Sequence, residues 1–590
     1  MRDDATAHAD ESPEGAHPPA SGTNVSLATR LTRRELLVFA AATAAAGCAT
    51  ASHPHATPTA TPYVLNRAVT VAADGTIPPA LRDALVKRIG QSAGITGATS
   101  VRADAAPDFL LTFGAVPAGY TPVTIGQSAA CLFTHLRVPV DSVKASQATA
   151  LLQGTVTDWK AVGAPGSLPV KTLALAGLPL PQGVTLASSA ATYPTTDDLL
   201  AALRAQPGSV ALAPVECADW SVRNLGVDGV YPAQGRGGAG TLGSYTLRLG
   251  VAKALIAKGF RPNALAGSLA PALAGATPVL DVAVAGDIML GRGVNNKMVA
   301  YNDYLYPYRQ VADELHAADL RVANLECTIT DLYPVPTDPS TFDFVSAKRA
   351  VAGLVYAGFS ALTVANNHAG GAGPGALQDM LATLRGKGIA TCGGGDNLAA
   401  ARQPALMTAK GMRVALLGYD AISPQAPYAT ASSPGLAPLD LSTLAQDISA
   451  ARSQADLVIP YFHWGIEYTK DPTADQQHAA RTAIDAGADV VLGVHPHWVQ
   501  GVESYKGKLI LYLFGNFIFD QDWSRPTMEG LLVHLYWRGT TLVGVRFVPT
   551  LDVDRCQPRP MTQAEAVDVF DRMWTGTDML ASGQYGPEPE

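Results

Sequence analysis

This chain of 590 residues has little charge and no concentrated basic segment. Only 16% of its residues are Asp, Glu, Lys or Arg, and the formal net charge of −8 is small for this length. A protein that follows a nucleic-acid backbone needs clustered Lys and Arg side chains to displace counterions. The composition therefore argues against nucleic acid as a partner.

Cysteine is also scarce. The six cysteines are well separated and show no spacing typical of a metal site. One of them, Cys48, belongs to the N-terminal segment described next, and the remaining odd number cannot all pair in disulfides. We therefore expect five buried thiols that pack as small apolar side chains. They are Cys131, Cys217, Cys327, Cys392 and Cys556.

The N-terminal segment lacks an apolar run long enough to span a bilayer. Arg33 and Arg34 precede a short apolar stretch that ends at Cys48. This pattern is typical of an export signal and resembles the twin-arginine signals of bacterial proteins that are exported already folded. Ala45-Ala46-Gly47-Cys48 resembles a lipobox, which implies a lipid anchor on Cys48 and a location on the outer face of the cytoplasmic membrane. The alternative is a soluble exported protein in which Cys48 lies inside a cleaved peptide.

The chain is long enough for two or more domains. A stretch rich in Ala, Thr and Pro follows Cys48 and has too little apolar surface to fold, which predicts a semi-stiff tether. The predicted segments are an export signal at 1–48, a linker at 49–65, an α/β domain at 66–275, a second α/β domain at 278–555 and a tail at 556–590.

The C-terminal half alternates short apolar runs with helical patterns. Apolar residues recur at helical spacing in 377–384 and 441–448. Strands that alternate with helices predict an α/β sheet, in which ligands bind beyond the carboxyl ends of the strands. Polar residues follow five of the apolar runs, so we expect them to converge at one edge of a sheet. They are Asp287, Glu326, Asn367, His368, His463, His495 and His497.

The pair His495 and His497 follows the apolar run 489–492 directly. If that run is a strand, alternation places both imidazoles on one face. Imidazoles, carboxylates and a carboxamide together can hold a pair of divalent cations that activate a water and clamp a phosphoryl-like group. His368 could act as a proton donor rather than a ligand. Any one of these residues alone could also be a simple strand-end cap.

Several motifs resemble, in order, the CapA (PgsA) capsule-synthesis family, whose domain is similar to the calcineurin-like metallophosphoesterases. They are Gly286-Asp287-Ile288-Met289-Leu290, Asn324-Leu325-Glu326, Ala365-Asn366-Asn367-His368, His463-Trp464-Gly465-Ile466-Glu467-Tyr468, 493–500 and 515–521. The resemblance implies a four-layer αββα sandwich. It also implies a role in assembly of poly-γ-glutamate or a related capsule polymer, with that polymer or its precursor and capsule-synthesis membrane proteins as partners.

The resemblance also implies a role for each polar residue at the site. Asp287 and His497 would hold a first metal, Glu326 would bridge, and a second metal would take Asn367, His463 and His495. The ions would be Mn, Zn or Fe, one or two in number. His368 would act on the substrate, and Glu467 and Gln500 would orient the metal-bound imidazoles.

Two positions depart from the patterns of these families. Metallophosphoesterases carry Asp-x-His in the first motif, but Met289 stands in place of that histidine. The acidic residue often found three positions after the Asn-Asn-His histidine is Gly371 here. We therefore expect one firmly held metal and a second that is weak or absent.

The preceding domain, 66–275, shows its own α/β pattern. Val69–Ala72 and 108–113 read as strands, and 79–93 reads as a helix. The stretch from Val143 to Gly163, which includes Trp159, resembles phosphate-type periplasmic binding proteins, and the resemblance implies a two-lobed class II binding-protein fold. No Ser/Thr cluster that would hold an anion is evident, and Trp159 reads as a core residue.

Three functions follow from these patterns. The first is a capsule-polymer factor with a metallophosphoesterase-like site, and hence a metal-dependent hydrolase. The second is a non-catalytic scaffold that binds polymer through the same groove. The third is a solute-binding sensor that acts through the domain at 66–275.

The export signal can be tested directly. Replacing Arg33 and Arg34 with Lys should leave the precursor in the cytoplasm, whereas Arg30→Lys should not. Cys48→Ala should move the exported protein from membrane to soluble fractions, because each buried lipid methylene contributes about 0.8 kcal/mol to anchoring. Cell fractionation measures both effects, with Cys131→Ala as the control. A Cys48→Ala protein that stays with membranes would exclude the lipobox.

Overall fold

The computed structural model describes residues 63–237, 242–338, 340–422 and 427–585. The export signal, including Arg33, Arg34 and Cys48, and most of the linker lie outside these residues. Residues 61–590 form one unit. Within the described ranges, no helix has the length and apolar character needed to cross a bilayer.

The first half of this unit is built on a ten-stranded sheet with helices packed against it. Its strands are β1 (Arg67–Ala73), β2 (Ile95–Ser100), β3 (Phe109–Thr112), β4 (Tyr120–His135), β5 (Ser142–Val143), β6 (Lys171–Leu175), β7 (Ala191–Tyr193), β8 (Ser209–Pro214), β9 (Val222–Val227) and β10 (Ser244–Ala252). Its helices are α1 (Pro79–Gly90), α2 (Ala145–Gln153), α3 (Thr196–Ala205), α4 (Lys253–Ala257) and α5 (Asn263–Leu269).

The long strand β4 divides this sheet into two lobes. Its first part pairs with β10 beside the parallel strands β3, β1 and β2, and its second part pairs with β8 and β9 beside β6 and β7. Each lobe is therefore an α/β unit, as expected for a two-lobed binding-protein fold. Trp159 is fully buried and donates from Nε1 to the carbonyl of Gly208 at 2.9 Å, so it is a core residue as predicted.

The turn between β1 and α1 is filled by an internal carboxylate. Asp74 accepts hydrogen bonds from the Thr76 amide, at 3.0 Å, and from the Thr76 and Thr112 hydroxyls. The amide of Thr196, in the second lobe, donates to the carbonyl of Gly75 at 3.0 Å. The hydroxyls of Thr76 and Thr112, close to this contact between the lobes, thus already donate to a carboxylate, which disfavours an anionic ligand there.

The second half of the unit contains two larger sheets and two short strand pairs. Its strands are β11 (Val279–Ile288), β12 (Leu320–Leu325), β13 (Thr328–Ile329), β14 (Val345–Ser346), β15 (Ala361–Thr363), β16 (Ala390–Cys392), β17 (Gly394–Gly395), β18 (Ala405–Ala409), β19 (Met412–Asp420), β20 (Gly435–Leu436), β21 (Leu457–His463), β22 (Val490–Val494), β23 (Val502–Tyr505), β24 (Lys508–Leu511), β25 (Asn516–Ile518), β26 (Glu529–Arg538), β27 (Thr541–Val553) and β28 (Gln557–Pro560). Its helices are α6 (Arg292–Ala300), α7 (Ala312–His316), α8 (Val351–Ala357), α9 (Pro374–Gly386), α10 (Leu398–Ala401), α11 (Leu441–Arg452), α12 (Ala474–Asp485) and α13 (Val567–Ala581).

These elements form four layers, α, β, β and α. The first sheet has the order β16-β15-β12-β11-β26-β27-β28 with β25 beside β11, and the second has the order β18-β19-β21-β22-β24-β23. One face of β11, including Val282, packs with β21 and β22 in a core between the sheets, and its other face, including Ala283, packs against α8 and α9. The second sheet covers its outer face with α11 and α12. The predicted sandwich is therefore present, and the helical stripes at 377–384 and 441–448 face its cores.

The C-terminal segment is part of this sandwich rather than a separate tail. Strand β28 pairs with β27, and α13 buries Val569, Met573 and Leu580. Sequence analysis placed the end of the domain at 555, because a short strand and a single amphipathic helix carry little periodic signal by themselves. The five cysteines from Cys131 to Cys556 are all free and buried, as predicted.

The two halves of the unit share a packed contact. Leu136 and Trp220, from the second lobe, join the core between the sheets. Trp220 donates from Nε1 to the carbonyl of Gly507 at 3.0 Å, and Arg137 pairs with Asp578. The second lobe is therefore held against the sandwich by both apolar and polar contacts.

The Asp74 turn makes phosphate binding testable. We expect no rise in melting temperature of the full chain on adding phosphate, whereas a ligand at about 100 times its dissociation constant stabilises a protein by about 2.7 kcal/mol. Asp74→Ala should destabilise the chain by about 1–3 kcal/mol, because two hydroxyls and an amide lose their acceptor. The exposed Asp83→Ala is the control, and a clear thermal shift with phosphate would contradict the expectation.

Candidate metal centre

The polar residues singled out in the sequence lie at strand ends of two different sheets. Asp287 is the penultimate residue of β11, Glu326 follows β12, and Asn367 lies beyond β15, all in the first sheet. His463 ends β21 of the second sheet, and His495 follows β22. The site thus lies where the carboxyl ends of both sheets face each other, not along the edge of one sheet as expected.

A buried triad forms the centre of the cluster. Asp287, Glu326 and His463 each offer a ligand atom, and these atoms all lie within 4.8 Å of one another. All three side chains are buried. Two carboxylates and an imidazole at this separation form a donor set that can hold a divalent cation.

The other predicted ligands adjoin this triad. Asn367 Oδ1 lies 2.9 Å from His463 Nε2, and the rings of His463 and His495 are 4.7 Å apart between centroids. His497 Nδ1 lies 3.9 Å from Asp287 Oδ2. The structure therefore brings all six predicted ligands into one connected group.

The two histidines of the Gly-Val-His-Pro-His motif reach the site through a turn. Strand β22 ends at Val494, and His495 and His497 have φ values of 105° and 61°. The expectation that strand alternation aligns them is wrong, since both lie past the strand. Such φ values are costly for non-glycine residues and persist where the surroundings fix them, often at functional sites. The amide of His495 donates to Asp287 Oδ2 at 3.3 Å and helps to fix the turn.

Two asparagines that sequence analysis did not assign to the site hold Asp287 in place. Asn324 donates from Nδ2 to Asp287 Oδ1 at 2.7 Å, and Asn366 donates to Asn324 Oδ1 at 3.0 Å. Asn366 Oδ1 in turn accepts from the amides of His368 and Ala369, at 3.1 and 2.8 Å. This chain links the first-sheet loops to the carboxylate. Both residues lie in the quoted motifs, which was the available signal.

Asn516 sets the orientation of His497. Its Nδ2 has two acceptors, Gln521 Oε1 at 3.0 Å and the carbonyl of Thr527 at 2.8 Å, so its Oδ1 must be the atom 2.8 Å from His497 Nδ1. His497 therefore donates from Nδ1 and keeps Nε2 free as a ligand. Asn516 lies in the 515–521 motif, whose family resemblance was noticed without a role for this residue.

Glu467 and Gln500 have different surroundings from those expected. Glu467 Oε1 lies 3.9 Å from His497 Nε2, too far for a hydrogen bond but facing the free nitrogen. Among the described residues, Gln500 has no hydrogen bond to an imidazole; it donates to the carbonyls of Thr469 and Asp471, at 3.1 and 3.3 Å. Gln500 thus supports the loop after Glu467 rather than a metal-bound ring.

His368 lies on the first-sheet side of the cluster. Its ring stacks on Phe344 with centroids 3.8 Å apart, and its backbone carbonyl accepts from the Thr328 hydroxyl at 3.3 Å. These contacts fix the ring beside the triad. Met289, in contrast, is buried in the core of the first sheet and its helices, and its sulfur accepts from the Gly291 amide at 3.1 Å. It adds no ligand to the triad.

Burial dominates the electrostatics of this site. It raises the pKa of Asp287 to about 7, although hydrogen bonds from Asn324 and the His495 amide act in the opposite direction. Burial, reinforced by the charge of Asp287, raises the pKa of Glu326 well above its usual range. Burial also lowers the pKa of His463, and that of His497 to about 4. The imidazoles are therefore neutral at pH 7, the form that binds metals.

The residues fit a divalent metal. Both carboxylate oxygens of Glu326 are buried, and neither accepts a hydrogen bond within the described part of the chain. His495 Nδ1 is also buried there without a hydrogen-bond partner. A buried charged group without compensation costs several kcal/mol, and a cation held by these atoms removes that cost.

Comparison with known proteins agrees with the residues at the site. The family described as "Bacterial capsule synthesis protein PGA_cap" matches residues 281–521. The capsule biosynthesis protein CapA of Bacillus anthracis is 32% identical over 294 residues, which cover 48% of this chain and 70% of that protein. The chain belongs to this capsule-synthesis family. The PGA biosynthesis protein CapA of Bacillus subtilis (strain 168) is also 32% identical, over 48% of this chain and 74% of that protein.

The family match ends before the last strands of the sandwich and does not include the first half of the described unit. A solved ABC-type phosphate transport receptor from Vibrio cholerae covers 32% of this chain and 92% of that chain, at 14% identity and a TM-score of 0.24. A similarity this low carries no conclusion. The two-lobed assignment therefore rests on the strand order given above.

The raised pKa values predict how pH acts on the metal-free protein. The folded state binds protons at Asp287 and Glu326 up to a higher pH than the unfolded chain, so the stability that these protons give is present below about pH 4 and, for Asp287, is lost as pH rises through about 7. The lowered pKa values of His463, His495 and His497 act in the opposite direction, because these buried imidazoles cost stability as pH falls. In a chelator, the contribution of the carboxyls is therefore measured as the part of the change in melting temperature between pH 5.5 and pH 8 that depends on Glu326. Manganese should raise the melting temperature more at pH 8 than at pH 5.5, because protons compete with the metal for the carboxylates and imidazoles at the lower pH.

A matched amide variant isolates this effect. Glu326→Gln removes the buried titrating carboxyl with little change in shape, so between pH 5.5 and pH 8 its melting temperature should fall less, or rise more, than that of the unmodified chain. Manganese should also stabilise this variant less. Asp313→Asn, at an exposed helix position, should behave as the unmodified protein. The same pH slope in Glu326→Gln and in the unmodified chain would show that the buried carboxyls do not control it.

Proposed function

We propose that this capsule-synthesis family member is an exported, lipid-anchored, metal-dependent hydrolase that acts on a phosphate ester of a cell-envelope polymer or its precursor. It would work on the outer face of the cytoplasmic membrane beside the membrane proteins of capsule synthesis. The observation that carries the proposal is the buried triad of Asp287, Glu326 and His463, in which the Glu326 carboxylate has no donor in the described chain.

The chemistry follows from the donor set. Bound divalent ions would polarise the phosphoryl group and lower the pKa of a water. Asp287, Glu326, Asn367, His463, His495 and His497 would hold them. The water oxygen would attack phosphorus as the bond to the leaving alcohol oxygen breaks, and the proton of the water would pass to solvent. His368, fixed by its stacking on Phe344, would give a proton to that oxygen.

The same site supports a second function. Met289 leaves the cluster without the imidazole that two-metal phosphoesterases carry, and it lies in the core instead. With a single firmly held ion, the groove would bind polymer without turning it over, as a scaffold. The sensor function is less well supported, because the Thr76 and Thr112 hydroxyls already donate to Asp74.

Metal content and turnover separate the two functions. Combined His495→Ala and His497→Ala should abolish metal binding, measured by elemental analysis after dialysis against manganese. His368→Ala should retain metal but lower hydrolysis of nitrophenyl phosphomonoesters or phosphodiesters by about 10²–10⁴-fold, the usual contribution of a positioned acid. Both variants should remain folded, since none of the three histidines belongs to the hydrophobic cores of the sandwich.

The exposed His478→Ala, on α12, is the control for both measurements. Metal binding without hydrolysis in the unmodified chain would favour the scaffold. Failure to bind manganese, zinc or iron at millimolar concentration would exclude the metal centre itself.

A further inference from the structure

An unbroken row of aromatic and imidazole rings leads from the metal centre to the surface. His368 stacks on Phe344, which contacts Phe519 at 5.8 Å, and Phe519 contacts His497 at 5.0 Å between ring centroids. Tyr468 then stacks on His497 at 5.8 Å, and Trp523 meets Tyr468 edge-on at 6.1 Å. The last two rings are the outer end of one wall of the site.

These outer rings face solvent. Trp523 is 60% exposed and Tyr468 is 37% exposed, whereas Trp159, Trp464 and Trp537 are almost fully buried. Exposed apolar surface beside a buried polar site is typical of a ligand-binding face. Together, Tyr468 and Trp523 form an exposed ring platform.

The charged residues close in sequence to the ring platform are either acidic or paired with an acidic side chain, including the half-exposed Lys470, which lies 4.0 Å from Asp471. Arg555 pairs with Asp522 at 2.6 Å, and Arg292 is buried and pairs with Asp520. Glu467, the neighbour of Tyr468, has a half-exposed carboxylate that faces His497 Nε2. A chain of free carboxylates such as polyglutamate would meet repulsion from Glu467 and would find the nearby guanidinium groups already paired.

A neutral ring with hydroxyl groups fits this surface better. Its apolar face can lie on the exposed ring of Trp523 while its edge meets Tyr468, which is inclined by 73° to that ring, and its hydroxyls can donate to the carboxylate of Glu467. We propose that the ring platform binds a sugar ring of the substrate, so that the hydrolysed phosphate ester is carried by a glycan rather than by polyglutamate. This substrate class rests on the phosphoester chemistry proposed above.

Binding to the metal-free full chain tests the ring platform without turnover. Calorimetric titration in a chelator would use two neutral tetrasaccharides, one of N-acetylglucosamine and one of glucose, and a γ-linked glutamate decamer. At least one saccharide should bind, and the glutamate decamer should not. Trp523→Ala should weaken saccharide binding about five- to tenfold, while Trp523→Phe should stay within about twofold because it keeps an aromatic face.

Leu406→Ala, an exposed apolar position on β18, should bind as the unmodified chain does. The proposal is overturned if neither saccharide binds, if Trp523→Ala binds as tightly as Trp523→Phe, or if the glutamate decamer binds and depends on Trp523. Saccharide binding without any phosphoester hydrolysis would leave the ring platform standing and reject the hydrolase. Hydrolysis of nitrophenyl esters without saccharide binding would support the hydrolase and reject the ring platform as a sugar-binding surface.

Discussion

The burial of two neighbouring carboxylates is the constraint on which the rest of this site depends. Asp287 and Glu326 are both removed from water; this burial raises the pKa of Glu326, and the charge of Asp287 adds to the rise. The chain itself offers Asp287 hydrogen bonds from Asn324 and the His495 amide but leaves Glu326 without a donor in the described residues. Burying these two carboxyls lowers the stability of the metal-free protein, whereas a bound cation would compensate their charge. The same burial therefore both destabilises the fold and favours metal binding.

The two-sheet sandwich brings the two carboxylates and the imidazoles close together. A β-carbon at Gly286 would lie 1.9 Å from the carbonyl oxygen of Gly515, so only glycine lets β25 approach β11 closely enough to bring Asn516 to His497. The strained φ angles of His495 and His497 persist because Asp287 and Asn516 hold the turn from two sides. Among the predicted ligands, the imidazoles come from the second sheet and the carboxylates from the first. The two kinds of ligand therefore meet only when the two sheets pack together.

The sequence was sufficient for those features that local periodicity determines. The helical stripe in α9 and the strands that carry Asp287 and His463 at their carboxyl ends follow from spacing alone. It did not reveal that the strand ends belong to two sheets, because strand pairing depends on contacts far apart in the chain. The role of Asn516 was not predicted for the same reason, since it depends on its hydrogen bonds with His497, Gln521 and the carbonyl of Thr527. Alternation failed at His495 because the strand ends one residue earlier.

The contact between the two halves of the unit bears on the first half as well. A two-lobed receptor must open and close its lobes around a solute, yet here the second lobe is joined to the sandwich through Trp220, Leu136 and the Arg137–Asp578 pair. The Thr196 amide also ties that lobe to Gly75 of the first. Opening would therefore break a lobe contact and, if the second lobe moved, a shared apolar core as well. Since Asp74 also accepts from the Thr76 and Thr112 hydroxyls, these contacts favour a domain that supports or docks the sandwich over one that captures a solute.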